Sequence, residues 1–136
     1  MIVFTGKEQT CDFQKGQIVL IDKPLDWTSF DVVNKIRYTI RHKFNLKKIK
    51  VGHAGTLDPL ATGLLVICTG KYTKQIESLQ AQEKEYITTL KLGATTPSFD
   101  KETEEGANYP TEHITLEQIK EVIESFIGEQ EQVAPM

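Results

Sequence analysis

The stretch Val51-Gly-His-Ala-Gly-Thr-Leu-Asp-Pro-Leu-Ala-Thr-Gly-Leu-Leu-Val-Ile-Cys68 decides how this chain folds. In its first part, Gly52, Gly55, Pro59 and Gly63 forbid a regular element and call for a sharply bent loop. Its second part, Leu64 to Cys68, is a short apolar run closed by Gly70 and reads as a buried strand. Asp58 is the only acid of the loop and stands between Leu57 and Leu60. A carboxylate held on a tight loop beside a sheet is available as a nucleophile or a base. The plainer alternative is that Asp58-Pro59 is a turn former whose side chain bonds neighbouring amides.

Moving towards the N-terminus, Gln17-Ile-Val-Leu-Ile-Asp22 reads as a strand stopped by Lys23-Pro24. Thr28-Ser-Phe-Asp31 then has the form of a helix start, with a hydroxyl cap and an acid three residues on. Phe30, Val33, Ile36 and Ile40 follow at near-helical spacing and are predicted to face the core, leaving Arg37, Arg41 and several lysines towards solvent.

Towards the C-terminus, Lys71 to Gln80 is predicted to be a short helix. Glu85 to Leu92 alternates, with Tyr86, Thr88, Leu90 and Leu92 on one face, and is predicted to be a strand. Residues 93–110 form a polar excursion near the length limit of a structureless loop, a candidate for mobility or function. Thr115-Leu-Glu-Gln118 is a capping box, with Ile119 placed to staple onto Ile114. The buried stripe of that helix is expected at Leu116, Ile119, Ile123 and Phe126, with Gly128 as its stop. Gln130 to Met136 reads as the lead-in to another strand. The order of elements predicts an α+β fold, a mixed, mainly antiparallel sheet with helices packed on it.

Composition narrows the class. The chain has 136 residues, 39% of them hydrophobic and 26% charged, which is one globular domain rather than a disordered or fibrous chain. No apolar run approaches the length that spans a bilayer, and the N-terminus lacks the order of a secretory signal. Cys11 and Cys68 give no disulfide framework, and Cys68 is expected to be a buried reduced thiol. These features predict a soluble cytoplasmic protein.

The net charge of −3 conceals an asymmetry: residues 1–74 balance to +6 and residues 75–136 to −9. Lys35 to Lys50 holds seven basic residues and no acid. A polyanion binder needs only such a local face, although a solvated helix face followed by a lysine-rich loop accounts for it equally.

Elimination removes several chemistries. His42, His53 and His113 are far apart, with no cysteine or acid at ligand spacing, so no metal is expected. Gly70-Lys71 lacks the Ser/Thr and the first glycine of a P-loop, and there is neither a dinucleotide fingerprint nor a nucleophile elbow. No cofactor is implied.

The loop Gly52-His-Ala-Gly-Thr-Leu-Asp-Pro-Leu-Ala-Thr-Gly63 resembles the signature of the TruB family of pseudouridine synthases, which isomerise uridine in the T-loop of transfer RNA, at position 55. Ile21-Asp-Lys-Pro24 resembles the first motif of that family, Lys84-Glu-Tyr86 its later tyrosine motif, and the likeness runs over about residues 17–135. By this resemblance Asp58 is the catalytic aspartate, which forms a transient covalent bond with the target nucleotide. Tyr86 is the tyrosine that stacks on the flipped base, and His53 contacts the T-loop and holds the nucleotide extruded. Lys23 and Pro24 match a motif read as support beneath the catalytic loop. Thr96-Pro97 departs from the Thr-Asp of many members.

The resemblance implies that residues 1–136 are the N-terminal part of a catalytic domain. The remainder of that domain, with the basic partner of the aspartate, and a C-terminal RNA-binding extension would lie outside them. The expected partner is the T-arm of tRNA, with no membrane, no small-molecule cofactor and no obligate protein partner. The alternatives from other classes are a module that binds or helps fold the T-arm without catalysis, and a scaffold domain of a ribonucleoprotein.

Overall fold

The computed structural model describes residues 12–131. Cys11, and the expected strand lead-in beyond residue 131, lie outside them. The chain divides into two units, one ending at Lys84 and the other starting at Glu85.

The first unit is built on a three-stranded antiparallel sheet, β1 (Ile18–Lys23), β2 (Val51–His53) and β3 (Gly63–Thr69), with β3 in the middle. Ile18 pairs with Cys68 and Lys23 with Gly63 on one side of β3, and Val51 pairs with Thr69 and His53 with Ile67 on the other. β2 corrects the expectation that nothing regular forms between Val51 and Gly63. Three residues of ladder fit before Gly55, whose φ of 116° then bends the chain away.

Helix α1 (Ser29–Lys43) covers one face of this sheet. Its start is the capping box read from the sequence: Thr28 Oγ1 accepts the Asp31 N–H, and the Asp31 carboxylate accepts the Thr28 N–H. The buried stripe is Val32, Val33, Ile36 and Ile40, packed on Val19, Ile21, Val51, Leu65 and Ile67. Each such side chain contributes roughly 1.5–3 kcal/mol through its burial. Phe30, expected in that stripe, is 59% exposed. At about 100° per residue it projects well to the side of the line through Val33, Ile36 and Ile40, and the buried position nearest the helix start is taken by Ser29.

One face of the sheet is buried along β3 and the other only at Cys68, towards the end of the strand. Leu65, Ile67, Cys68 and Thr69 of β3 are buried, whereas Leu64, Ile18 and Leu20 are exposed. Cys68 is a free buried thiol, and burial pushes its pKa above the ordinary value. After β3, a 3-10 turn (Gly70–Gln75) leads directly into α2 (Ile76–Gln80), within the span predicted as helix. No helix among the described residues is long and apolar enough to cross a membrane.

In the second unit, Glu85–Leu92 has no regular secondary structure, against the strand read from its alternation. A ladder needs a neighbour, and among the described residues this segment has none. The polar excursion closes on itself: Ala94 bridges Asn108, Tyr109 N–H donates to the Gly93 carbonyl at 2.7 Å, and Lys91 pairs with Glu105. Helix α3 (Leu116–Glu124) starts at the predicted capping box, Thr115 with Gln118. Its expected buried stripe is open instead. Leu116, Ile123 and Phe126 are exposed and Ile119 is half-buried, because no second layer packs on them among the described residues.

Candidate functional site

Asp58 lies on the loop that joins β2 to β3, at the end of the sheet where Lys23 pairs with Gly63. Ala61 N–H donates to the Asp58 carbonyl at 3.0 Å, closing a β-turn with Asp58 first and Pro59 second. The turn uses the backbone of Asp58 and leaves its side chain alone. Among the described residues the carboxylate accepts no hydrogen bond and forms no ion pair, and it is exposed. The turn-forming role and an available carboxylate therefore coexist at this residue.

Both flanking residues are anchored to residues 23–29, where β1 passes into α1. On one side, Ser29 Oγ accepts the Leu57 N–H at 2.9 Å and donates to the Leu57 carbonyl at 3.1 Å. On the other, the Pro59 carbonyl accepts the Asp26 N–H at 2.9 Å and Lys23 Nζ at 3.4 Å. Lys23 is completely buried, and its ammonium also donates to the carbonyls of Pro24 at 2.9 Å and Trp27 at 2.6 Å. Asp26 takes a left-handed conformation, φ 63°, as the chain turns around that ammonium. The loop bearing Asp58 is thus held by hydrogen bonds that start from residues 23–29.

His53 ends β2 at the start of the same loop and is half-buried. Its Nδ1 lies 2.6 Å from the Gly55 carbonyl, which can only accept, so Nδ1 carries a proton and, in the neutral ring, Nε2 is the acceptor. Asp58 and His53 therefore share one loop. Tyr86 belongs to the second unit, where it is 67% exposed and outside any strand.

The basic segment divides in two. Arg37 is turned inward along its own helix, donating to Asn34 Oδ1 at 2.8 Å and to the Val51 carbonyl at 3.1 Å, and so supports β2. Lys48 and Lys50, by contrast, line an open concavity of about 340 Å³ together with Lys71 and Lys74. Gly70 N–H donates to the Lys50 carbonyl at 2.9 Å, which brings the two lysine pairs together. Gly70 has φ 53° and packs against the backbone of Phe13 and Gln14, a place that admits no side chain. Among the described residues no acid lines the concavity. It lies where Thr69 pairs with Val51, the end of β3 away from Asp58, roughly 20 Å along the strand.

Sequence reasoning missed Ser29, Lys71 and Lys74. Ser29 carries one local signal, a small polar residue in line with an apolar stripe. The two lysines carry none, because only the strand register joins them to residues 48–50.

The sequence profile described as TruB family pseudouridylate synthase (N terminal domain) matches residues 41–136. The chain is also similar to proteins named tRNA pseudouridine synthase B. That of Phocaeicola vulgatus is 63% identical over 125 residues, covering 92% of this chain and 53% of the relative. That of Parabacteroides distasonis is 60% identical over 125 residues with the same coverage, and that of Flavobacterium johnsoniae 56% identical over 126 residues, 92% of this chain and 55% of the relative. The chain thus spans about half the length of the curated relatives it matches.

Proposed function

The chain belongs to the TruB family of pseudouridylate synthases, and from that membership we propose that it is the N-terminal part of a catalytic domain that converts uridine to pseudouridine in the T-loop of tRNA, at position 55, in the cytoplasm. Asp58 is the nucleophile. The observation that carries this reading is an exposed carboxylate with no partner among the described residues, on a loop whose backbone is tied down immediately before and after it.

The reaction breaks the C1′–N1 bond of uridine, rotates the uracil and joins C1′ to C5; the C5 proton leaves and N1 gains one. No oxidant, reductant or energy source is consumed. What the reaction requires is a group that can add to the nucleotide and leave again, which a carboxylate can do. It also requires the base out of its stack, at a cost of a few kcal/mol. In this reading Tyr86 offers the aromatic surface on which the extruded base stacks, and His53, with Nε2 free to accept, contacts the T-loop. The concavity of Lys48, Lys50, Lys71 and Lys74 takes the RNA backbone, at a distance from the chemistry.

The test is tritium release from C5-labelled uridine in a T-arm stem-loop, using the protein that carries this chain in its native reading frame, beside Asp58→Asn. Release by the parent and none by the variant supports the isomerase and its nucleophile. Binding by both without release rejects catalysis and leaves a module that grips or helps fold the T-arm, a reading to which the four lysines also lend support.

A further inference from the structure

We propose that Ser29 is a positioning residue for Asp58, its hydroxyl fixing the direction of the catalytic carboxylate through the backbone of Leu57. The inference rests on the reading of Asp58 as nucleophile and adds a residue that acts on it through Leu57, 28 positions along the chain from Ser29.

A serine hydroxyl has one proton to donate and lone pairs to accept with. Ser29 uses both functions on one residue, accepting the Leu57 N–H at 2.9 Å and donating to the Leu57 carbonyl at 3.1 Å. A single bond would hold one atom; this pair holds both polar groups of Leu57. Ser29 is 3% exposed, so water does not replace either bond when the hydroxyl is removed. Nor does the helix need that hydroxyl. The cap of α1 is made by Thr28, whose Oγ1 accepts the Asp31 N–H at 3.0 Å, and Ser29 is the first residue inside.

Among the described residues the Asp58 carboxylate makes no bond that would aim it, so the position of its Cβ, and with it the range the carboxylate reaches, is set by the backbone on either side. On the C-terminal side, Pro59 restricts the conformation of Asp58 by its ring, and its carbonyl is held by Asp26 and Lys23. On the N-terminal side the hold is Ser29. Without it, the torsions on either side of the planar Leu57–Asp58 peptide bond are restrained from the Pro59 side alone, and the carboxylate covers a wider range of positions relative to C1′ of a bound nucleotide. Displacement of a reacting group by about 1 Å can cost on the order of a hundredfold in rate.

The experiment compares Ser29→Ala, Ser29→Cys and Ser29→Thr in the protein that carries this chain in its native reading frame, with Asp58→Asn as the dead reference. Turnover on the T-arm stem-loop and hydrogen exchange at the Leu57 amide are measured together. Ser29→Ala and Ser29→Cys are expected to lose roughly ten- to a hundredfold in kcat with KM within about twofold of the parent, and to exchange the Leu57 amide faster. Ser29→Thr, which keeps the hydroxyl, is expected to retain turnover. Should Ser29→Ala fail to fold, the folded Cys and Thr variants decide the matter: a gap between them supports the role, and equal rates overturn it. A parent-like kcat in Ser29→Ala, with Asp58→Asn inactive, overturns the role of Ser29 alone. A parent without turnover overturns the isomerase reading and this role with it.

Discussion

Lys23 Nζ reaches the Pro59 carbonyl across 3.4 Å, tying the last residue of β1 to the residue that follows Asp58. The same ammonium satisfies the carbonyls of Pro24 and Trp27 and has no carboxylate partner among the described residues. It is the fixed point around which the chain turns from β1 into α1. Lys23→Met fills a similar volume but leaves the Pro24 and Trp27 carbonyls without a donor and the Pro59 carbonyl with the Asp26 N–H alone. Unfolding in urea is expected to show a loss of roughly 2–4 kcal/mol at unchanged slope. A midpoint equal to the parent's would mean that water replaces the ammonium.

The corrected stripe of α1 separates two apolar residues six positions apart. Ile36 is buried against the sheet, and Ile36→Ala is expected to cost about 2–5 kcal/mol by leaving a cavity. Phe30→Ala, on the exposed flank, is expected to stay within about 0.5 kcal/mol. Thermal or urea unfolding of the two variants ranks them, and a larger loss at Phe30 would contradict the packing.

What could be read in advance was what is local. Both capping boxes, Thr28 with Asp31 and Thr115 with Gln118, are contained within four residues and were legible in full. The spacing around α1 is legible as a helix and places Val33, Ile36 and Ile40 on its buried face, whereas Phe30, read into the same stripe, lies on the flank. The alternation of Glu85–Leu92 is a true pattern, yet a strand exists only with a partner, and no sequence window contains that partner. The same limit hid Ser29, whose contacts lie 28 residues on, and the meeting of Lys50 with Lys71 across the β2–β3 register. The motif around Asp58 and His53 is legible as a resemblance, which also marks Lys23 and Pro24 as support for the loop; the contacts of Ser29 and Asp26 with it are not.

Acid should weaken the start of α1. The Asp31 carboxyl is held below its ordinary value first by the Thr28 hydroxyl and next by the Thr28 N–H. Because the folded-state pKa is the lower one, the stability it contributes is present above the unfolded value of about 4 and is lost as pH falls through the folded value beneath it. The melting temperature of the parent is expected to drop across that window more steeply than that of Asp31→Asn, which carries no titrating group there. Parallel profiles would show that the cap does not sense the charge.

The lysine concavity makes a prediction about salt. If it holds RNA phosphates, Lys71→Ala and Lys74→Ala each reduce the slope of log affinity against log salt by roughly 0.7–0.9 for a T-arm stem-loop. They should do so without altering the turnover of bound RNA, since Asp58 is at the far end of β3. An unchanged slope would remove the concavity from the RNA-binding surface.

Thr28 and Ser29 are adjacent, so the bond that begins the helix and the bonds that hold the loop share a single turn of backbone. Helix ends are where local opening is least costly. With Asp58 as the proposed nucleophile and Ser29 as its proposed brace, an opening of that turn would release Leu57 with it, and the carboxylate would be held no more firmly than α1 is wound at its first residue. Order in the loop is in this sense borrowed from the helix. A change that tightens or loosens the helix start would reach Asp58 without touching it.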